Sequence, residues 1–167
     1  MLSHNKVILL LFLVFLFKVF GVLFATKIFN YYTPLIDSNL YLTNFFENHG
    51  DIRTIIIQKI VIFLKTFIYN DFFIHLSFAI LSSIGLVYGI LKKLASPIII
   101  FSLFLPSAFV WTSIVGKEAI FFGFFSLIIF IWIRFNSDNI CKIDIILLLV
   151  AVCLCFILRP HYALPLI

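Results

Sequence analysis

Side chains that could act on a polar substrate stand at the ends of apolar runs in this sequence. Asp37 follows the first run, Lys117 and Glu118 separate two later runs, and Arg159 and His161 follow the last long one. A carboxylate near a membrane surface can remove a proton from an incoming hydroxyl group. Arginine presents a planar fork that matches phosphate, and histidine can add a hydrogen bond. Acid and base gathered at one membrane face suit a transferase that uses a lipid-phosphate donor.

Each of these groups also has an ordinary structural interpretation. Asp37 stands before a Ser-Asn pair, which is typical of a helix N-cap or a turn. Lys117 and Glu118 can form a solvated turn, and Arg159 can extend from a helix end towards water. His75 could line the same cavity, although a hydrogen-bonded core histidine is the simpler interpretation. The functional interpretation therefore requires that the chain brings these residues to one side of a membrane.

The composition decides the class of protein. Hydrophobic residues make up 64% of the chain and charged residues 11%, with 23 phenylalanines. A soluble domain has roughly 25% charged residues, so this chain cannot cover a water-facing surface. The net charge of +5 comes from scattered bases, and the sequence predicts no nucleic-acid partner. We expect an all-α membrane protein, a polytopic helical bundle in which residues 1–167 form a single transmembrane domain.

The apolar runs predict about five transmembrane helices and one interfacial helix. At about 1.5 Å per residue, roughly 20 residues cross a bilayer core of ~30 Å. Lys18 interrupts the first run near its middle, so it either faces the protein interior or argues against a lone helix bathed in lipid. The predicted spans are 7–26, 72–91, 97–114, 119–133 and 143–158.

Residues 27–71 form a predicted outer loop that contains the interfacial helix. Within 54–69 the polar residues Gln58, Lys59 and Lys65 fall on one stripe, which favours a helix lying flat with lysines towards the headgroups. The alternative is a short transmembrane span, which would reverse the membrane orientation of all the segments that follow it. Short inner loops and the Lys92–Lys93 pair favour an inside N-terminus, although the raw count of bases does not.

The order of these motifs resembles the GT-C class of membrane glycosyltransferases, such as protein O-mannosyltransferases and the lipid A aminoarabinose transferase. The resemblance rests on Asp37 followed by Tyr41 in the first outer loop, then a flat helix, then Pro106 in the third span ahead of Glu118. The pattern Leu105-Pro106-Ser107…Trp111…Gly116-Lys117-Glu118, with a later Arg159-Pro160, also resembles bacterial sugar-polymer membrane proteins, including repeat-unit polymerases.

The resemblance implies inverting transfer of a sugar from a polyprenyl-phosphate donor, outside a bacterial cytoplasmic membrane, to a glycan, lipid or protein acceptor. It implies that Asp37 activates the acceptor hydroxyl and that Glu118 orients the acceptor or the base. Lys117, Arg159 and His161 would hold the donor phosphate, and Tyr41 would contact substrate. No metal ion or cofactor is expected. Because the resemblance covers only the front part of such a family, we expect the N-terminal part of a longer protein, a fragment that need not be active by itself.

Three other functions remain open. A repeat-unit polymerase would share the lipid donor but depend on basic residues in outer loops, so Arg159 rather than Asp37 would be indispensable. A transporter or channel segment would line a path with Lys18, His75 and Glu118. A non-catalytic membrane scaffold would need none of these residues for chemistry.

Overall fold

The computed structural model describes residues 4–33, 35–43, 51–94, 106–136 and 140–163, apart from the side chains at 106, 107, 162 and 163. The described part is helical and contains no strand, which confirms the all-α prediction. The helices are α1 (His4–Tyr32), α2 (Ile36–Leu42), α3 (Ile52–Lys65), α4 (Asp71–Leu81), α5 (Ile84–Leu91), α6 (Pro106–Trp111), α7 (Lys117–Phe135), α8 (Lys142–Leu158) and α9 (Pro160–Ala163).

Two helices, α1 and α7, are long and apolar enough to cross a membrane, which indicates membrane association. A third crossing results if α4 and α5, bent by 47°, act as one span. The described residues therefore hold fewer candidate spans than the five or so expected. Helix α8 has 17 residues, about 26 Å, and is shorter than a core of roughly 30 Å. Half of the expected span 97–114, residues 97–105, lies outside the described residues.

Serine side chains occupy the bend between α4 and α5. The hydroxyls of Ser82 and Ser83 both donate to the carbonyl oxygen of Ala79, at 2.7 and 3.0 Å. Such bonds compete with the helical backbone ladder and favour bending. The Ser82 hydroxyl also lies 2.8 Å from the carbonyl oxygen of Thr112, so the bend is fixed to a distant part of the chain.

Helix α7 is the centre of the bundle and packs against α4, α5 and α8. Two glycines permit its close approach. A Cβ added to Gly85 on α5 would lie 2.3 Å from the backbone nitrogen of Leu127, and one on Gly123 would lie 2.3 Å from the carbonyl oxygen of Leu81. Larger side chains at either glycine would therefore push α7 away from its neighbours.

A buried polar cluster ties α5, α7 and α8 together at the Arg134 end of α7. The Asp144 carboxylate accepts hydrogen bonds from Arg134 at 2.5 Å, from the Tyr88 hydroxyl at 2.9 Å and from the Cys141 backbone at 2.9 Å. Helix α7 has 19 residues, about 28 Å. This cluster therefore lies at the opposite end of the bundle from Lys117.

Helix α3 corresponds to the predicted interfacial helix but departs from the expected polar stripe. Its 14 residues span about 21 Å, too short to cross a bilayer core. Lys59 is exposed as expected, but Gln58 is only 1% exposed and packs inside the fold, so it does not face headgroups. Lys65 donates to the carbonyl oxygen of Leu42 at 2.6 Å and joins α3 to α2. That α3 lies flat stays a prediction.

Candidate functional site

A pocket of about 510 Å³ opens beside the first turn of α7. Separate parts of the chain contribute its polar side chains. Helix α2 supplies an acid, a serine and a tyrosine, α7 supplies a base and an acid, and the residue after α8 supplies a second base. We call it the acid–base pocket and define it by Asp37, Ser38, Tyr41, Lys117, Glu118 and Arg159.

Five of the six side chains expected to form a site meet in this pocket. Asp37, Tyr41, Lys117, Glu118 and Arg159 all line it, although α2, α7 and the end of α8 are far apart in the sequence. His161 is the exception. It lies on α9 with an exposed side chain and is not among the residues that line the pocket. The catalytic and binding roles of all six stay predictions.

An ion pair joins two of the pocket residues. The Arg159 guanidinium contacts the Glu118 carboxylate, and both side chains are about two-fifths exposed, at 37% and 41%. In the described part of the chain, neither Lys117 nor Asp37 has an oppositely charged group within 4.0 Å. Among the described residues, the pocket therefore presents one carboxylate and one ammonium group without an ion pair, beside a carboxylate and a guanidinium group that pair with each other.

Helix α2 positions Asp37 and Tyr41, which are four residues apart and so share a helix face. Leu35 is the N-cap of α2 and Asp37 lies in its first turn, where the helix dipole favours a negative charge. Tyr41 is 4% exposed. Its burial raises the pKa of the phenol above the ordinary value, and a hydrogen bond with Thr54 partly opposes this. Tyr41 therefore stays protonated as a hydrogen-bonding group at neutral pH.

Sequence analysis missed Ser38 as a pocket residue. Its side chain is buried, and its hydroxyl oxygen has no hydrogen-bond partner in the described structure. Buried hydroxyls are usually satisfied, so an unsatisfied one that lines a pocket is a candidate ligand contact. Nothing in the sequence distinguishes Ser38 from a serine in an ordinary turn.

Three hydrogen bonds, with partners on α1, on α4 and at the bend after α4, hold the buried segment that leads to Lys117. The Lys18 ammonium donates to the Thr112 hydroxyl at 2.8 Å, and Ser82 donates to the Thr112 carbonyl at 2.8 Å. The backbone N–H of Val115 donates to Nδ1 of His75 at 3.1 Å. Because residues 112–116 are buried, these bonds fix the direction in which α7 begins and so place its first charged residues in the pocket.

This anchoring accounts for the lysine in the middle of the first apolar run. Lys18 is 2% exposed, so it faces the protein interior rather than lipid. The path expected for a transporter is not formed by the three residues named for it. Lys18 contacts Thr112, His75 lines a different pocket and Glu118 lines the acid–base pocket.

The arrangement is suited to acid–base and phosphate chemistry. Within the described residues, no group of three histidine, cysteine or acidic side chains is placed to hold a metal ion. The fold and the pocket together define an all-helical, membrane-associated protein with a charged pocket at one end of its bundle. No known family, curated protein or solved structure matches this chain.

Proposed function

We propose that the acid–base pocket is the site of a membrane glycosyltransferase of the GT-C type, which transfers a sugar from a polyprenyl-phosphate donor to a hydroxyl acceptor. The observation that carries the proposal is the meeting of Asp37 with Lys117 in one pocket, each without an ion-pair partner in the described structure. A carboxylate and an ammonium group that no described residue neutralises are the two charges that the reaction requires.

In the proposed reaction, the Asp37 carboxylate takes the proton of the acceptor hydroxyl. The acceptor oxygen then forms a bond to the anomeric carbon of the sugar. The bond between that carbon and the phosphate oxygen breaks, and its electron pair leaves with the polyprenyl phosphate. Lys117 stabilises the charge that develops on the phosphate, with Arg159 beside it. Glu118 orients Arg159, and Tyr41 and Ser38 offer hydroxyl groups to the substrate.

The proposal places the protein in a cell membrane as a multi-pass protein, with the pocket on the non-cytoplasmic side of a bacterial cytoplasmic membrane. The bundle geometry supports a shared face, since α2, the start of α7 and the residue after α8 lie together at the pocket. The donor is then a membrane lipid, and the acceptor is a glycan, a lipid or a protein. The sequence pattern further supports a chain that forms the front part of a longer enzyme.

Donor recognition can be tested with the full chain in detergent and undecaprenyl phosphate, the lipid part of such a donor, as the probe. We expect Lys117→Gln to weaken binding about tenfold or more, because a charged hydrogen bond is lost. Lys142→Gln, an exposed lysine at the start of α8, is the matched control and should bind normally. Equal binding by both variants would overturn the donor assignment.

The basic side of the pocket also supports the repeat-unit polymerase as a second candidate, because Lys117 and Arg159 both line it. The two functions differ in which pocket residue is essential for activity. A polymerase tolerates Asp37→Asn but not Arg159→Gln, whereas the glycosyltransferase requires Asp37. Chain-length analysis of the glycan made by cells carrying each variant separates them.

A further inference from the structure

A second pocket, of about 290 Å³, lies on the other side of α2. Helix α2 separates the two pockets, since Asp37 lines the first and Asn39 the second. The end of α1 and the start of α4 complete the second pocket. We call it the asparagine pocket and define it by Lys27, Asn30, Asn39, Asn70, Asp71 and His75.

In two of its asparagines the side-chain oxygen already accepts a hydrogen bond from the backbone. The side-chain oxygen of Asn30 accepts the N–H of Leu35 at 2.9 Å, and that of Asn70 accepts the N–H of Phe72 at 2.9 Å. A backbone N–H needs an acceptor, so the amide orientation is fixed in both cases. The NH₂ groups are therefore the atoms left to meet a ligand, and both are donors.

His75 adds a third hydrogen-bond donor, because one of its ring nitrogens already accepts a backbone N–H. Its Nδ1 accepts the N–H of Val115 at 3.1 Å, so the proton of the neutral ring sits on Nε2. The side chain lines the pocket and the residue is 5% exposed, and no described residue accepts a hydrogen bond from Nε2. Nε2 is not one of the fully buried side-chain atoms that lack a partner, so it is open to the pocket and can donate to a ligand there.

The charges around the pocket favour an anion. Lys27 contributes an ammonium group from the π-helical turn near the end of α1. The Asp71 carboxylate also lines the pocket, but Nζ of Lys65 lies 3.6 Å from it and balances its charge. Lys27 is thus the cation that lines the pocket, beside a carboxylate whose charge Lys65 balances from outside it. The pocket also adjoins the N-terminus of α4, which favours negative charge. These donor groups and this positive charge suit a ligand with many hydrogen-bond acceptors and no hydrogen-bond donors.

The location of the pocket favours a ligand at the membrane surface. Three tyrosines flank it in sequence with strongly exposed side chains, namely Tyr31 at 83%, Tyr32 at 78% and Tyr69 at 95%. Exposed tyrosines at the ends of apolar helices are typical of the headgroup layer of a bilayer. Phosphate is the acceptor-rich anion that this layer supplies.

We infer that the asparagine pocket binds the phosphate group of a membrane lipid, at a site distinct from the acid–base pocket. A free phosphate ion would present the same oxygen atoms, so the two sources must be separated by experiment. The inference does not depend on sugar transfer, because none of the residues that define the asparagine pocket lines the acid–base pocket.

The test uses two probes, dioctanoyl phosphatidic acid and inorganic phosphate, titrated into the full chain in detergent. The variant Asn30→Asp with Asn70→Asp keeps both backbone hydrogen bonds, since a carboxylate also accepts them and caps a helix equally well. It replaces two donors by negative charge. We expect its affinity for phosphatidic acid to fall more than tenfold. Asn136→Asp, an exposed asparagine after α7, is the matched control and should bind as the wild type does.

A second variant keeps the test decisive if the double variant does not fold. Lys27→Gln removes an exposed charge without touching a described hydrogen bond, and should weaken binding several-fold. Binding of phosphatidic acid alone assigns the site to a lipid, and equal binding of inorganic phosphate assigns it to the free ion. Binding that survives these changes but is lost in Lys117→Gln would place the phosphate in the acid–base pocket and overturn the inference. Failure of both probes to bind would also overturn it.

Discussion

The Arg159 guanidinium is ion-paired with the Glu118 carboxylate, so the residue that follows α8 is attached to the first turn of α7. This pair closes one side of the acid–base pocket and leaves Lys117 as its cation without an ion pair in the described structure. The resemblance to GT-C enzymes implies that Lys117, Arg159 and His161 together hold the donor phosphate. The pairing shifts that task towards Lys117.

The ion pair predicts an unusual effect of removing Glu118. In Glu118→Gln the guanidinium no longer shares its charge with a carboxylate, so undecaprenyl phosphate should bind about two- to fivefold more tightly, the size expected for a partly exposed pair. Arg159→Gln should weaken binding. Titration of both variants gives the comparison, and weaker binding by Glu118→Gln would show that the carboxylate itself contacts the ligand.

The buried lysine of α1 should control the mobility of the segment before α7. Lys18→Met keeps the length of the side chain and removes the hydrogen bond to Thr112. We expect faster amide hydrogen exchange in residues 112–118, since local opening becomes easier when an anchor is lost. Lys6→Met, an exposed change on the same helix, is the control. Unchanged exchange in this segment would remove Lys18 from its positioning role.

The contact between α5 and α7 should not tolerate a side chain at Gly85. In Gly85→Ala the new Cβ would lie 2.3 Å from the backbone nitrogen of Leu127, so the helices must separate. Overpacking of this kind costs about 1–3 kcal/mol, and thermal unfolding in detergent should begin several degrees lower. Ile80→Val on the exposed face of α4 should have little effect. Equal unfolding temperatures would contradict the close packing of α5 on α7.

The apolar pattern predicted the all-helical class, because length and hydrophobicity dominate the choice of structure in a membrane, but it predicted about five spans where the described residues hold two or three. It also brought Asp37, Glu118 and Arg159 to one end of the bundle by counting where each apolar run stops. The apolar pattern could not predict the tertiary contacts between helices. The bend at Ser82 depends on the Thr112 carbonyl, and the burial of Gln58 depends on how α3 packs. Neither is a property of the local sequence.

The proposed orientation predicts which cysteines an impermeant maleimide reaches in intact cells. Native Cys141 is exposed at the Arg134 end of the bundle and should not react from outside. Asn39→Cys, made in a Cys141→Ser, Cys153→Ser background, lies at the pocket end and should react. Labelling of Cys141 with protection of Asn39→Cys would show that the pocket end faces the cytoplasm.

The proposed function is tested most directly by sugar transfer in a single turnover. The full chain is loaded with undecaprenyl-phosphate [¹⁴C]hexose and mixed with the membrane acceptor fraction. We predict that Asp37→Asn keeps the donor bound but transfers the sugar about 10²- to 10⁴-fold more slowly, the usual contribution of a general base. Asp51→Asn, an exposed acid paired with Arg53, should transfer at the normal rate. Transfer by Asp37→Asn at the rate of the wild type would contradict the account.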